Sequence, residues 1–106
     1  MKRLKIPQSE EDTDLLIFST KELLKGLPED GLEREYVLKD LAVLAGSFNR
    51  YIKYKHRDAI MNILVDYYDD AKRSVIEAVV DYPREEYYDL AITFFERALR
   101  HENGNL

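Results

Sequence analysis

The sequence contains no cysteine and no tryptophan, and it has only four glycines and three prolines in 106 residues. Without cysteine the chain cannot form disulfides, thiolate metal sites, iron–sulfur clusters or a cysteine nucleophile. Long apolar runs are also missing, because the longest, at 15–18 and 41–45, fall far short of the ~20 residues of a membrane-spanning helix. No apolar stretch follows the basic start of the chain, so we expect no signal peptide. We therefore predict a cytoplasmic protein that does not enter a membrane.

Charged residues are abundant but unevenly distributed along the chain. They make up 35% of the sequence, against a usual ~25%, while the apolar share of 45% is ordinary. This combination favours amphipathic helices over disorder. The net charge is −5, and residues 58–106 hold 11 of the 21 acids but only 5 of the 16 Lys and Arg residues. An acidic protein of this kind repels nucleic acid unless it has a local basic patch.

Start and stop signals in the first half of the chain predict two helices. Ser9 stands directly before three acidic residues, as an N-cap does, and Gly26 and Pro28 end the helix that follows. Asp30 and Glu33 have the spacing of a capping box for a second helix. Beyond them, apolar residues recur every three or four positions as far as residue 52. We therefore predict that the second helix continues to that point.

Two further helices are predicted in the second half of the chain. An apolar stripe runs from Ala59 to Tyr82, and Pro83, followed by acids, begins the last helix. We place the break between the second and third helices at 54–58, because one helix over 31–81 would be ~75 Å long. The expected core residues are Leu16, Leu23, Val37, Leu41, Leu44, Phe48, Ile63, Val75, Ala91, Phe95 and Ala98.

No segment alternates long enough to indicate a β-strand. The sequence therefore predicts an all-α protein that forms a compact antiparallel bundle of about four helices. We expect residues 1–106 to form one domain, with a basic arm at 1–8 and a polar tail at 102–106.

Residues 50–57 are the most basic part of the chain, with four Lys and Arg residues, one His, two Tyr and no acid. On one helix, positions at offsets of 0, 3, 4 and 7 share a face. A basic face with an aromatic ring can hold a phosphate backbone and stack a base. The alternative is a solvated turn whose charges offset the acidic second half of the chain. The residues of this candidate nucleic-acid patch are Arg50, Lys53, Tyr54, Lys55 and Arg57.

Arg50 and His56 have the Arg-x5-His spacing of a motif in HEPN domains, which are helical, and the pair resembles that motif. The resemblance implies an RNA-cleaving enzyme in which these two residues act on one phosphate. Tyr51 departs from the pattern, since a polar residue usually follows the arginine. On one straight helix the two side chains would point about 120° apart, so the proposed site needs a turn between them.

No other motif indicates catalysis or metal binding. Residues three before the two histidines are Lys53 and Ala98, so the Glu-x-x-His pairs of a di-iron bundle are missing. The acidic clusters at 66–70 and 85–89 lack the glycine and the ligand spacing of a calcium loop. We therefore predict no catalytic, cofactor-binding or metal-binding residues, and no cofactor.

Aromatic residues give the remaining signal, because eight tyrosines are many for this length. Neighbours on a helix point about 100° apart, so one tyrosine of each adjacent pair should lie at the rim of the core. Half-exposed tyrosines are common at protein interfaces. The candidate interface residues are Tyr67, Tyr68, Tyr87, Tyr88 and Phe94.

The sequence thus favours a small non-enzymatic helical interaction protein that acts as a homodimer or through a protein partner. One alternative is a weak nucleic-acid-binding module that uses residues 50–57. The other is the HEPN-like RNA-cleaving enzyme.

Overall fold

Five α-helices make up most of the chain, and no strand occurs in residues 6–29 and 31–104, which the computed structural model describes, with side chains up to His101. The helices are α1 (Glu10–Gly26), α2 (Leu32–Ala45), α3 (Tyr54–Asp66), α4 (Tyr68–Asp81) and α5 (Glu85–Gly104). The all-helical prediction is confirmed, and the bundle has one helix more than the four or so expected. Its radius of gyration, 13.1 Å, is that of a compact chain of this length, ~13 Å.

Several of the predicted helix ends agree with the structure. The Ser9 hydroxyl accepts a hydrogen bond from the Asp12 N–H at 3.0 Å, so Ser9 is the N-cap of α1. At the other end, Gly26 is the last residue of α1 instead of the first residue beyond it. Helix α5 begins two residues after Pro83. The predicted polar tail is helical as far as residue 104, while Asp30, most of the basic arm (1–5) and residues 105–106 lie outside the described residues.

Helix α2 ends at Ala45, so the prediction that it continues to residue 52 is wrong, and so is a break at 54–58. Residues 46–53 form a loop, the α2–α3 loop, and α3 begins at Tyr54. The Ser47 hydroxyl donates to the Leu44 carbonyl at 2.7 Å and closes the last turn of α2. Ile52 is buried although it lies in the loop. Because it falls at the next position of the helical apolar pattern, the periodicity does not indicate that the helix ends before it.

The predicted core is partly right. Val37, Leu41, Ile63 and Val75 are buried, whereas Leu23 and Phe48 are exposed, so those two predictions are wrong. Leu23 misses the core because α1 turns a different face inward, and that face buries Thr13, Thr20 and Leu24. Phe48 misses it because it lies in the α2–α3 loop. The other five are half-buried: Leu16, Leu44, Ala91, Phe95 and Ala98.

Helices α2 and α4 make the most extensive contact in the bundle, and they run parallel. Arg34 pairs with Asp70 at 3.5 Å, and Lys39, further along α2, pairs with Asp81 at 2.7 Å, further along α4. Residue numbers therefore rise together on both helices, and the predicted antiparallel arrangement does not hold for this pair. The hydrogen bond with Asp81 raises the pKa of Lys39. The helices approach closely because small residues lie between them: Ala42, Ala71, Ser74 and Ala78 are all buried.

A break at Tyr67 separates α3 from α4, although no glycine or proline lies there. The Tyr67 N–H donates to the Ile63 carbonyl, and its own carbonyl accepts from Ala71, so one residue ends one helix and starts the next. The Arg34 guanidinium lies 5.0 Å from the Tyr67 ring centre and also donates to the Leu27 carbonyl at 3.0 Å. Tertiary contacts of Arg34 therefore hold the break in place.

Gly46 lies where the Tyr87 ring approaches the backbone. A Cβ at Gly46 would be 2.5–2.8 Å from three ring carbons of Tyr87, well inside the ~3.5–4.0 Å of a normal carbon contact. The ring cannot easily move, because Tyr87 is buried and its hydroxyl donates to the Val43 carbonyl at 2.6 Å. Glycine is therefore required here for space.

We expect Gly46→Ala to lower the free energy of unfolding by about 1–3 kcal/mol, because the new methyl group forces the Tyr87 ring out of its site. Gly26→Ala is the matched control, since nothing lies within 4 Å of its Cβ position at the end of α1. That change should leave stability unchanged or raise it by up to about 1 kcal/mol. Urea unfolding followed by circular dichroism measures both. Equal stability of the two variants would contradict the proposed contact.

Candidate protein-binding groove

The predicted basic patch does not form one helical face. Arg50 and Lys53 lie in the α2–α3 loop, while Tyr54, Lys55 and Arg57 belong to the first turn of α3. The side chains of Arg50, Lys53, Tyr54 and Lys55 are exposed, whereas Arg57 is half-buried. No acid occurs in the first turn of α3. Four of the five patch residues are therefore on the surface, and all four lie within the six-residue segment 50–55.

Arg57 has a structural role. Its Nε donates to the Ala45 carbonyl at 2.8 Å, and a terminal nitrogen donates to the Ser47 carbonyl at 3.2 Å. The last carbonyls of a helix lack partners within the helix and carry the negative end of its dipole. Arg57 satisfies them at the end of α2, so its guanidinium is engaged inside the protein.

His56 is almost fully buried, at 2% exposure, and both ring nitrogens have partners. Its Nδ1 accepts a hydrogen bond from the Lys53 N–H at 2.9 Å, which is the role of Glu or Gln in a capping box. The bond assigns the ring proton to Nε2, which lies 2.8 Å from the Asp14 carboxylate on α1. Arg50 donates to the Tyr51 hydroxyl at 2.9 Å. Both side chains of the Arg50–His56 pair therefore have hydrogen-bond partners within the described structure.

Polar contacts fix the α2–α3 loop against α1. The Thr13 hydroxyl donates to the Tyr51 carbonyl at 3.0 Å, and the Asn49 amide donates to the Pro7 carbonyl at 3.4 Å. Within the loop, the Asn49 side-chain oxygen accepts from the Tyr51 N–H at 2.8 Å. With Ile52 buried beneath it, the loop holds Phe48 on the surface.

The α2–α3 loop, α3 and α5 enclose a groove of about 290 Å³. Its floor is apolar, since Ala45, Met61 and Leu90 line it and are each buried. Two aromatic side chains stand at its edge: Phe48 is 73% exposed and Tyr54 is 81% exposed. Large apolar side chains exposed beside an apolar concavity are typical of binding sites. We call this site the groove.

The edge of the groove on α5 is acidic. Asp58 on α3 pairs with Arg97 on α5 at 2.6 Å. Glu86 and Asp89, one turn apart on α5, also line the groove, and neither forms an ion pair within the described part of the chain. Nearby, the Arg84 guanidinium lies 5.0 Å from the Phe48 ring centre. The groove therefore combines an apolar floor, two aromatic edges and two unpaired carboxylates.

The five predicted interface residues differ in how far their side chains are buried. Tyr87 and Phe94 are buried within the chain, so neither side chain lies on its surface. Burial raises the pKa of the Tyr87 phenol. Tyr67 and Tyr68 are half-buried, and Tyr68 stacks on Phe94 with ring centres 5.5 Å apart. Of the five residues, only Tyr88 has an exposed side chain.

Within the described residues, no group of three or more acidic or histidine side chains is arranged to hold a metal ion. None of the helices there combines the length and the apolar content that crossing a bilayer requires.

Comparison of the chain with protein-family models, curated proteins and solved structures gives no significant match.

The sequence indicated Tyr54 and Arg57 but missed the other residues of the groove. Phe48 is predicted in the core, and no motif marks Met61 or Leu90. Glu86 and Asp89 belong to the acidic cluster at 85–89, which the sequence suggests only as a calcium loop that it does not match. One signal was present: Gly46 and Ser47 directly follow the apolar run at 41–45, and such a pair favours the end of a helix.

We expect Arg57→Ala to lower the free energy of unfolding by about 1.5–3 kcal/mol, because the Ala45 carbonyl at the end of α2 and the Ser47 carbonyl in the loop lose a charged donor. Arg50→Ala is the matched control, since Arg50 is exposed and its guanidinium donates only to the neighbouring Tyr51 hydroxyl in the described structure. It should change stability by less than about 0.5 kcal/mol. Urea unfolding of both variants tests this, and a stable Arg57→Ala protein would contradict the structural role of Arg57.

Proposed function

We propose that the protein is a non-enzymatic interaction protein whose groove binds an apolar segment of a protein partner. The observation that carries this proposal is the exposure of Phe48 and Tyr54 beside an apolar floor. Exposed aromatic residues at a concave site supply much of the energy of protein association. A cytoplasmic location is part of the same proposal and fits a chain without cysteine.

The chemistry of the groove indicates what the segment contains. An apolar or aromatic side chain would contact Met61 and Leu90 on the floor. Lysine or arginine beside that side chain would face Glu86 and Asp89, whose carboxylates have no ion pair in the described structure. Charge complementarity of this kind selects partners and speeds their encounter. We therefore expect a segment with one apolar anchor and neighbouring basic residues.

Selection from a library of random peptides displayed on phage tests the proposal. We expect the wild-type protein to select peptides with an apolar anchor next to Lys or Arg. Combining Phe48→Ala with Tyr54→Ala should weaken binding of those peptides at least tenfold, or ~1.4 kcal/mol, because both aromatic contacts are lost.

The matched control is Phe18→Ala combined with Tyr36→Ala, which removes the same two residue types from exposed positions on α1 and α2. It should leave peptide binding unchanged. Amide chemical shifts should change on binding along the α2–α3 loop, α3 and the first half of α5. Peptides that shift a different surface, or that bind the Phe48/Tyr54 variant as tightly as wild type, would contradict the proposal.

A second candidate function is weak binding of single-stranded RNA. It is supported by the exposed run of Arg50, Lys53, Tyr54 and Lys55 and by the lack of acid in the first turn of α3. Arg57 is not available for this role, because it is bonded to carbonyls at the end of α2. Three cations remain to contact phosphates, and one exposed ring can stack on a base.

If RNA binds here, the logarithm of affinity should fall with the logarithm of salt concentration with a slope of about −2, from three phosphate contacts at about −0.7 each. Arg50→Ala, Lys53→Ala and Lys55→Ala should each reduce the slope by about 0.7 and weaken all sequences alike. Lys21→Ala, on the exposed side of α1, is the control. Titration of a labelled single-stranded RNA measures the slopes. Identical curves for wild type and all three variants would reject this function.

A further inference from the structure

The outer face of α5 carries an apolar stripe that is largely exposed. Tyr88, Ile92, Phe95 and Leu99 are spaced by four, three and four residues, which is the spacing of a seam between packed helices. Tyr88 is 46% exposed, Ile92 57% and Leu99 60%, while Phe95 is half-buried. We call these four residues the α5 stripe. Tyr87, Leu90 and Phe94 fill the core from another side of α5, and Phe95 packs partly against that core. The exposed surfaces of Tyr88, Ile92 and Leu99 therefore have no partner within the described chain.

A pocket of about 460 Å³ opens at the C-terminal end of the α5 stripe. Its walls are aromatic and aliphatic, formed by Val65, Tyr68, Phe95, Ala98 and Leu99. Asp69 and His101 also line it and supply polar groups. Apolar walls with a few polar groups suit a tyrosine side chain, whose ring is apolar and whose hydroxyl needs a hydrogen-bond partner.

Tyr88 lies at the other end of the same stripe. It precedes Leu99 by eleven residues, or about 16 Å along the helix. One end of the stripe therefore carries an exposed ring and the other end a pocket. When two copies of the chain are related by a two-fold rotation, the ring of each copy faces the pocket of the other. In such an interface, residue i of one copy contacts residue j of the other, and j contacts i.

We propose that a second copy of this chain covers the α5 stripe: two α5 helices pack antiparallel, and Tyr88 of each enters the pocket of the other. In this register, Tyr88 lies opposite Leu99 of the second copy, and Ile92 lies opposite Phe95. The phenol of Tyr88 then comes to the pocket lined by Asp69 and His101, where its hydroxyl can find a hydrogen-bond partner.

Charges beside the stripe favour a second copy in this orientation. At 100° per residue, Glu85 and Arg100 lie on the same side of the stripe, one near each end. Antiparallel pairing brings Glu85 of one copy within about two residues of Arg100 of the other, whereas parallel pairing would keep the two residues at opposite ends of the seam. Among the described side chains, Arg100 pairs with Glu96, at 3.6 Å on the exposed surface. Such an exposed pair contributes little, so Arg100 can engage Glu85 of the second copy.

Association measured by sedimentation at tens to hundreds of micromolar protein tests the proposal. We expect a wild-type dimer, and we expect Ile92→Glu or Leu99→Glu to raise its dissociation constant at least tenfold, because a carboxylate would be buried in the seam. Leu15→Glu is the matched control, since Leu15 is an equally exposed leucine on α1. It should leave the dimer intact, and circular dichroism checks that every variant is folded.

Cross-linking tests the orientation, because the natural chain has no cysteine and an introduced thiol would have no competitor. Antiparallel pairing keeps two copies of Glu85→Cys about 25 Å apart and two copies of Arg100→Cys about 20 Å apart, beyond disulfide reach. A mixture of the two variants should therefore cross-link, and neither should do so alone. A mixture that fails to cross-link, or cross-linking of either variant with itself, would overturn the antiparallel register, as would a wild-type monomer at all concentrations.

The α5 stripe and the groove use different residues, so their tests are independent. Phe48→Ala should leave the dimer intact, and Ile92→Glu should leave selected peptides bound in the groove. A wild-type monomer would therefore reject the dimer but not the proposed function of the groove. A failed peptide selection would reject the proposed function but not the dimer.

Discussion

The contact between the Tyr87 ring and the backbone of Gly46 determines much of the structure around the candidate site. The ring occupies the space that a Cβ at residue 46 would need, and its hydroxyl donates to the carbonyl of Val43. This contact joins α5 to the end of α2. Since α2 stops there, residues 46–53 form a loop, Phe48 lies on the surface, and α3 begins beside the N-terminal half of α5. The groove is the space that these three elements leave between them.

The loop that follows is held by side chains that the sequence alone suggested for other roles. Arg57 satisfies carbonyls at the end of α2, and His56 bonds both the Lys53 N–H and Asp14. A buried polar group without a partner is costly, so these bonds are needed once the residues are inside. The basic segment at 50–57 thus divides by burial: residues that face inward position the loop, and residues that face outward remain available for a ligand.

The sequence predicted what depends on local signals and missed what depends on tertiary contact. The helical class followed from periodicity, and the start of α1 followed from Ser9, whose hydroxyl caps it. The end of α2 could not be located from periodicity, because Ile52 is buried from a loop and keeps the stripe in phase. The break at Tyr67 depends on contacts of Arg34, which lies more than thirty residues away in sequence. The parallel pairing of α2 with α4 brings together residues far apart in sequence, such as Lys39 and Asp81, and no local pattern indicates it.

The same distinction applies to the aromatic residues. Sequence indicated that each adjacent tyrosine pair would have one member at the rim, and at 87–88 the structure buries Tyr87 and exposes Tyr88. Which member faces inward is decided by Gly46, since only a residue without a side chain admits the Tyr87 ring. Fixing Tyr87 inward rotates α5 so that Tyr88, Ile92 and Leu99 face outward along one line, while Glu86 and Asp89 turn toward α3. One contact therefore sets the rotation of α5, and that rotation assigns one side of the helix to the groove and another to the α5 stripe.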